Sequence, residues 1–345
     1  MKVLITGGCG FIGSNIASAY MRRGDKILIV DDLSRKGSRL NLKWLKSSGP
    51  IDFIKQDIAD YKSLRKTIEK NKDVDAIFHM AAQVAVTGSV ENPRRDFEIN
   101  AFGTFNLLEA VRSASINPVI IYASTNKVYG EMEDLGVVEK NGKYAWKDME
   151  GGISEGRPLD FHSPYGCSKG CAEQYVHDYS RIYGLRTVVM RQSCIYGPRQ
   201  FGVEDQGWVA HFIISAILGR KIIIYGDGKQ VRDILYIDDL TDVFHLAHHN
   251  IDKVKGAIFN IGGGCENTMS LLELITILKE ELNKDIPVGY ESWRPGDQKV
   301  YVSDVSKAEE TLGWKPKIHM SSGIKKLISW VKENKELFIK ALDRK

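Results

Sequence analysis

The chain has 345 residues, which corresponds to roughly two domains at about 150 residues each. Hydrophobic residues make up 43% and charged residues 27%, a composition that excludes a disordered chain, a collagen and a coiled coil. The formal net charge is only +4, which argues against a nucleic-acid partner.

The cysteines and the apolar runs indicate the cellular compartment of the protein. The five cysteines include no C-x-x-C pair and no disulfide framework, which is typical of a reducing compartment. The longest apolar runs, such as residues 212–218, are far too short to span a membrane. The chain enters a strand directly, without a cleavable leader pattern. We therefore expect a cytoplasmic protein without a membrane partner.

Short apolar runs alternate with amphipathic stretches through the first half of the chain. Strands are predicted at residues 3–5, 26–30, 51–55, 76–78, 119–122 and 187–190. Helices are predicted between them, at residues 11–23, 60–71 and 96–113. This alternation predicts the α/β class, with a Rossmann-type, doubly wound parallel sheet covered by helices on both faces.

The pattern changes after residue 191, where loops lengthen and two helices are clear, at residues 270–283 and 322–334. We predict a sheet domain over residues 1–190 and a smaller α+β lobe over residues 191–345. Residues 234–261 are again strand and helix and could rejoin the first domain. Residues 131–160 are rich in turns and polar groups, and they predict a surface excursion near the functional site.

A glycine-rich turn joins the first strand to the first helix. Residues 6–13 read T-G-G-C-G-F-I-G, in which Gly7, Gly10 and Gly13 spell G-x-x-G-x-x-G. Such glycines let the backbone approach a pyrophosphate, and the helix N-terminus adds free N–H groups. Asp31 ends the second strand, near the ~20-residue offset of a ribose-binding acid, and it would repel a 2′-phosphate. The pattern predicts a site for NAD rather than NADP.

The same coenzyme would pass the ends of other strands. Asp57 and Ile58 follow the third strand, at the expected adenine edge. Ala81, Ala82 and Gln83 follow the fourth strand, where small side chains leave room. The cofactor-binding prediction further includes Phe11, Ile12, Asp32, Ser34, Asn100, Tyr165 and Lys169.

Tyr165 and Lys169 are four residues apart, on one face of a predicted helix. A free phenol has a pKa near 10, and a neighbouring ammonium together with a cationic nicotinamide would favour the phenolate. Thr125 follows the fifth strand, at the edge where open α/β folds bind ligands. Its hydroxyl could hold a substrate oxygen while Tyr165 moves the proton, or it could make turn hydrogen bonds.

These motifs together resemble the extended short-chain dehydrogenase/reductases, in the branch that modifies nucleotide sugars. The resemblance covers nearly the whole chain, including residues 231–233 and the turn at residues 294–297. It implies that Thr125, Tyr165 and Lys169 are catalytic, that Arg232 and Arg294 grip a substrate diphosphate, and that residues 191–345 bind the nucleotide sugar. Arginine suits that role because its fork binds phosphate bidentately. The predicted substrate-binding residues are Ser124, Thr125, Asn126, Gln206, Arg232 and Arg294.

Longer stretches indicate one reaction within this branch. Residues 31–37, 124–130, 160–170 and 205–209 are similar to epimerases that invert C2 of a CDP-linked 3,6-dideoxyhexose. This resemblance implies a CDP-sugar substrate, tightly held NAD and a transient 2-keto sugar. We also expect a homodimer or a homotetramer.

Three other functions stay open. A 4-epimerase acting on a UDP-sugar would share the fold and the motifs. A nucleotide-sugar 4,6-dehydratase is disfavoured, because dehydratases that this chain resembles carry Asp-Glu directly after the catalytic Thr, where this chain has Asn126 and Lys127. A non-catalytic NAD-binding protein would not need Tyr165 and Lys169 together.

The sequence does not assign a single chemical role to the histidines. His162 could serve as an acid–base group next to Tyr165 or could shape the sugar pocket. His245, His248 and His249 share one helix without matching acids or cysteines, so we expect no metal.

Overall fold

Strands and helices alternate along the chain in the computed structural model, which describes residues 1–294 and 296–342. In chain order the strands are β1 (Lys2–Thr6), β2 (Lys26–Asp31), β3 (Asp52–Lys55), β4 (Ala76–His79), β5 (Val119–Thr125), β6 (Val137–Lys140), β7 (Lys143–Trp146), β8 (Arg186–Gln192), β9 (Cys194–Tyr196), β10 (Ile222–Tyr225), β11 (Val231–Tyr236), β12 (Ile258–Ile261), β13 (Thr268–Ser270), β14 (Val288–Glu291) and β15 (Val300–Tyr301).

The helices flank these strands. They are α1 (Phe11–Arg22), α2 (Ser38–Ser48), α3 (Tyr61–Lys70), α4 (Val86–Glu91), α5 (Pro93–Phe97), α6 (Gly103–Ser113), α7 (Ser163–Tyr183), α8 (Trp208–Leu218), α9 (Ile237–His249), α10 (Ile251–Val254), α11 (Leu271–Leu282), α12 (Ser306–Leu312), α13 (Met320–Glu333) and α14 (Lys335–Leu342). Single 3-10 turns span Asn126–Tyr129 and Cys265–Asn267.

Seven strands form one parallel sheet in the order β12-β8-β5-β4-β1-β2-β3. Chain order reverses between β1 and β4, where Thr6 stands opposite His79. In open α/β sheets, the crevice beyond the carboxyl ends of the strands at such a reversal binds ligands. The predicted α/β class and doubly wound parallel sheet are confirmed.

The central strands are buried because helices cover both faces of the sheet. Val3, Leu4 and Ile5 of β1 are all 0% exposed. Val3 and Ile5 pack in one hydrophobic cluster and Leu4 packs in another. Strands buried on both faces carry continuous apolar runs, which explains why these strands were visible in the sequence.

The smaller sheets are formed mainly by the chain after residue 191. β11 pairs with β9, β13 and β15, and β10 pairs with β14. By contrast, β12 pairs with β8 at the edge of the seven-stranded sheet. The proposed division of the chain at residue 190 stays a prediction.

Two predicted segments differ from the structure. The helix expected over residues 96–113 is interrupted by a π-helical turn, Glu98–Phe102, between α5 and α6. Residues 131–160 contain the β6-β7 hairpin and are only partly a surface excursion. Trp146 and Ile153 are 7% and 2% exposed, because they belong to a hydrophobic cluster that includes Tyr301 of the smaller lobe. A contact between segments so distant in the chain leaves no local pattern in the sequence.

Within residues 1–294 and 296–342, no helix combines the length and the apolar character that crossing a membrane requires.

Candidate active site

A cavity of about 350 Å³ lies beyond the carboxyl ends of β5 and β8 and is lined by residues of both the main sheet and the smaller lobe. This is the carboxyl edge of the sheet, and the cavity extends to Phe11 and Ile12 after β1, next to the reversal of strand order between β1 and β4. Many of the residues predicted from the sequence line the cavity: Phe11, Ile12, Ser124, Thr125, Asn126, Tyr165, Gln206, Arg232 and Arg294.

The glycine loop is shaped so that side chains would not fit. Gly7 has a φ of +65°, and a Cβ there would lie 2.6 Å from the backbone nitrogen of Ala81. A Cβ on Gly13 would collide with the backbone of Gly7. The loop can therefore keep its tight turn only with glycine at these positions.

The loop leads into an uncapped helix end. Gly10 is the N-cap of α1, and no described residue caps this end with a side chain. The first turn of α1 contains no acidic residue. The free N–H groups and the positive end of the helix dipole suit an anionic diphosphate. The loop therefore fits the pyrophosphate of a dinucleotide.

Asp31 lies beside this loop at the end of β2. Its Oδ2 accepts a hydrogen bond of 2.9 Å from the backbone N–H of Cys9, and its Oδ1 accepts one of 2.8 Å from that of Leu33. Asp31 is 8% exposed, and burial raises the pKa of its carboxyl group. A carboxylate held in this way fits a ribose diol, and it would repel a 2′-phosphate.

Other residues predicted to bind the cofactor make hydrogen bonds, an ion pair or packing contacts within the protein. The Oδ1 of Asp32 accepts from the backbone N–H and the hydroxyl of Ser34. Asp57 forms a 2.6 Å ion pair with Arg95. Ile58 is 4% exposed and packs in the hydrophobic core. The side chains of these residues are outside the cavity, so any contact they make with a coenzyme stays a prediction.

Asn100 is buried below the loop that follows β4. Its Oδ1 accepts a 2.9 Å hydrogen bond from the backbone N–H of Gln83, and its Nδ2 donates to the Gln83 carbonyl oxygen. Nδ2 also lies within hydrogen-bond distance of Asp96 and Ser168. Asn100 is only 1% exposed, and its two hydrogen bonds to the backbone of Gln83 hold the 81–83 loop in place.

Thr125 and Tyr165 meet in the wall of the cavity, and Lys169 lies one turn beyond Tyr165 on α7. Thr125 ends β5, and Tyr165 and Lys169 are one turn apart on α7. Thr125 and Tyr165 line the cavity and are 7% and 9% exposed. The Nζ of Lys169 donates a 2.6 Å hydrogen bond to the carbonyl oxygen of Ala123, and it lies 4.1 Å from the centre of the Tyr122 ring.

Burial shifts the pKa values of Tyr165 and Lys169. Burial raises the pKa of Tyr165 to about 12, whereas the Thr125 hydroxyl acts in the opposite direction. Burial also lowers the pKa of Lys169 to about 7. In the protein alone, desolvation outweighs the positive charge of Arg35 near the phenol. The predicted effect of Lys169 together with a cationic nicotinamide stays a prediction.

The smaller lobe contributes two arginines that are held firmly in place. Nη2 of Arg232 donates to Oδ1 of Asp297 at 2.6 Å, and Arg232 is 7% exposed. The guanidinium of Arg294 lies 3.7 Å from the centre of the Tyr225 ring. The predicted turn at residues 294–297 also includes Pro295, which lies outside the described residues. Both arginines line the cavity, as a diphosphate-binding role requires.

The remaining predicted substrate residues differ in how they are held. The Oε1 of Gln206 accepts a 2.5 Å hydrogen bond from Arg35, which joins the β2 loop to the smaller lobe. Asn126 is 7% exposed, and its Oδ1 accepts from the Thr125 hydroxyl at 3.3 Å. Ser124 is held by Glu173 of α7 through a hydrogen bond of 2.6 Å.

Several cavity residues were missing from the sequence prediction: Lys127, Gln192, Trp208, Tyr225 and Asp297. Gln192 ends β8, so the argument that located Thr125 at the end of β5 would have found it. Trp208 and Tyr225 lie in the smaller lobe, where no local pattern indicates which side chains face the cavity.

The histidines also have definite places. The Nε2 of His162 lies 3.0 Å from a carboxylate oxygen of Glu131. His245, His248 and His249 lie on α9. Within the described part of the chain, no three His, Cys, Asp or Glu side chains are placed to hold a metal ion.

Comparison with known proteins identifies the family. Residues 4–327 match the family model described as GDP-mannose 4,6 dehydratase. The chain therefore belongs to the NAD-dependent epimerase/dehydratase family, an extended short-chain dehydrogenase/reductase family that acts on nucleotide sugars. It is 46% identical over 335 residues to the CDP-paratose 2-epimerase of Salmonella typhi, covering 96% of this chain and 99% of that protein.

Solved structures give the same result. The UDP-glucose 4-epimerase of Thermotoga maritima with UDP-glucose has a TM-score of 0.82 and 32% identity, covering 97% of this chain and 99% of that one. The UDP-glucuronic acid 4-epimerase of Bacillus cereus has a TM-score of 0.83 and 28% identity, covering 97% and 100%. That structure holds UDP-glucuronic acid and NAD, the coenzyme that the glycine loop and Asp31 predict here.

Proposed function

We propose that this protein is an NAD-dependent epimerase that inverts C2 of a CDP-linked 3,6-dideoxyhexose and interconverts CDP-paratose and CDP-tyvelose. The reaction type rests on the residues beside Thr125, where Asn126 and Lys127 stand in place of the acid pair of dehydratases. The choice of substrate is supported by the 46% identity to a CDP-paratose 2-epimerase along 96% of this chain.

The coenzyme would be held by the glycine loop and Asp31. Gly7, Gly10 and Gly13 let the pyrophosphate approach the N-terminus of α1, and Asp31 binds the ribose. When bound, NAD supplies an acceptor for the hydrogen of C2 and its electron pair, and its positive ring favours the Tyr165 phenolate.

The chain's own residues move the proton and hold the sugar. The phenolic oxygen of Tyr165 takes the proton of the 2-hydroxyl and later returns it. The Thr125 hydroxyl hydrogen-bonds the same sugar oxygen in both steps. Arg232 and Arg294 hold the diphosphate, so that the 2-keto sugar can turn and present its other face without leaving the cavity.

We also propose a homo-oligomer. Phe97, Phe102, Tyr175 and Tyr183 are 53%, 45%, 44% and 51% exposed. Phe102 stacks on Phe105, which in turn packs edge-on against Tyr175, so much of this surface is continuous. An exposed aromatic surface of this kind commonly marks a protein interface. Light scattering of the purified protein gives its mass in solution, and a monomer would contradict the proposal.

A panel of CDP-, UDP- and GDP-linked sugars tests the main proposal. We expect conversion of CDP-paratose to CDP-tyvelose and the reverse, identified by NMR of the product, with Tyr165→Phe as the inactive control. Inversion at C4 of a UDP-sugar would favour the second candidate, a 4-epimerase. That candidate is supported by the similarity to the Thermotoga maritima enzyme. A product that has lost water would identify a dehydratase.

A further inference from the structure

Lys127 lies in the wall of the cavity, two residues beyond Thr125. Its Nζ donates a 3.1 Å hydrogen bond to the carbonyl oxygen of Gly296, which belongs to the turn that carries Arg294 and Asp297. An ammonium has three N–H donors, and this contact uses one of them. Lys127 therefore joins the end of β5 to the smaller lobe and keeps donors for a ligand.

Lys127 is a partly buried lysine that lies close to another cation, Arg232. The titratable and charged groups that face it are Arg232 of β11, Asp297 of the turn, Cys194 of β9 and Glu131. Asp297 already pairs with Arg232, and Glu131 pairs with His162. Burial, with a smaller contribution from the charge of Arg232, lowers the pKa of Lys127 to about 8. A cation kept beside another cation is costly unless a ligand compensates.

We propose that Lys127 is a further substrate-binding residue, which donates a hydrogen bond to an oxygen of the hexose while Arg232 and Arg294 hold the diphosphate. This inference rests on the proposed function, in which a nucleotide sugar fills the cavity. The sugar is the expected partner because Lys127 is next to Asn126 and Thr125, where the reacting oxygen is held. The diphosphate, by contrast, already has two cationic partners in Arg232 and Arg294.

The position also separates this chain from the dehydratases that it resembles. Those enzymes carry a carboxylate at the place of Lys127, where it can take or give a proton. An ammonium donates hydrogen bonds but cannot take a proton while it is charged. While it is charged, Lys127 would thus hold the sugar without offering a base beside the keto intermediate.

Binding measurements on three variants test this role. Lys127→Met removes the charge and nearly preserves the length, Lys127→Arg keeps the charge, and Lys43→Met is the matched control. Lys43 is exposed on α2, away from the cavity. For each protein, calorimetry gives the Kd of the nucleotide sugar and the Kd of the corresponding nucleoside diphosphate. The ratio of the two constants isolates the contribution of the sugar.

We expect Lys127→Met to weaken nucleotide-sugar binding about 10- to 100-fold, the usual effect of losing a hydrogen bond from a charged group. Its Kd for the nucleoside diphosphate, its NAD content and its melting temperature should match those of Lys43→Met. Lys127→Arg should retain most of the sugar's contribution to binding, measured as the ratio of the two Kd values. Equal losses for the sugar and the diphosphate, or no loss for either, would overturn the inference.

A pH series adds a readout that a purely structural residue would not change. Since the pKa of Lys127 is about 8, the ammonium loses its proton as the pH rises through this value. The sugar's contribution to binding should therefore decline above pH 8 in the unmodified protein, but not in Lys127→Arg, whose guanidinium stays charged. A decline of the same size in both proteins would also count against the inference.

This design separates the inference from the proposed function. If the protein converts a UDP-sugar instead, the proposed substrate is wrong, and the same ratio is measured with that sugar and UDP. If it converts none of the panel, the catalytic proposal fails. The binding ratio for CDP-paratose and CDP then still decides the role of Lys127.

Discussion

The hydroxyl of Ser124 donates a 2.6 Å hydrogen bond to Oε2 of Glu173, whose side chain is 0% exposed. The same carboxylate binds Nε of Arg191 at 3.0 Å, and the Arg191 side chain is 4% exposed. Glu173 lies on α7 one turn beyond Lys169, and Ser124 precedes Thr125 on β5. Glu173 therefore joins β5 and α7, the two elements that carry the predicted catalytic residues, through its hydrogen bond with Ser124, and it also forms a buried ion pair with Arg191 of β8.

The first prediction concerns the buried ion pair between Glu173 and Arg191. Glu173→Gln should lower the free energy of unfolding by about 3–5 kcal/mol, because it leaves the buried Arg191 guanidinium without a counter-charge. Urea denaturation measures the change. The double variant with Arg191→Met should recover much of the loss, since no buried charge is then left unpaired. A single variant as stable as the unmodified protein would contradict this account.

The second prediction concerns the phenol. Tyr165→Phe should reduce kcat about 10²–10⁴-fold or more, the usual contribution of general acid–base catalysis. The fold and the NAD content should be unchanged, because the ring still fills its place on α7. Turnover is measured with whichever nucleotide sugar the unmodified protein converts. Turnover near that of the unmodified protein would show that another group takes the proton, with His162 the first to examine.

The third prediction separates two ways of inverting a carbon. C2 of an intact pyranosyl nucleotide has no neighbouring carbonyl, so its hydrogen is not acidic and cannot simply exchange with water. We therefore expect turnover in deuterated water to leave C2 of the product free of deuterium. Substrate labelled with deuterium at C2 should keep its label in the product. NMR and mass spectrometry measure both, and solvent deuterium at C2 would refute the proposed route.

The fourth prediction concerns the coenzyme. Asp31 should make the protein prefer NAD, because its carboxylate suits a ribose diol and repels a 2′-phosphate. Asp31→Asn retains the side-chain size but removes the charge, so it should weaken NAD binding about 10- to 100-fold and narrow the preference over NADP. Asp31→Ala should weaken NAD retention as well, since it also removes the contacts to Cys9 and Leu33.

Titration of both dinucleotides into coenzyme-stripped protein gives the two affinities. Lys43→Met serves as a control for general effects of substitution. If the unmodified protein bound NAD and NADP equally well, Asp31 would not be the selecting group.

Local patterns in the chain were sufficient to predict the main sheet and NAD as the coenzyme. The central strands of the main sheet are buried on both faces, so they leave apolar runs such as Val3-Leu4-Ile5. The glycine loop, Asp31 and the Tyr165–Lys169 spacing are also local, because each involves one turn, one strand end or one helix face. Such features depend on neighbours in the sequence and can be recognised there.

The substrate side of the cavity required the folded chain. Lys127 reaches Gly296, and Gln206 reaches Arg35, across separations of more than a hundred residues along the chain. The raised pKa of Tyr165 and the lowered pKa of Lys169 likewise arise from burial by distant segments rather than from each other. Desolvation and long-range contacts depend on which surfaces pack together, and that packing has no signature in a short stretch of sequence.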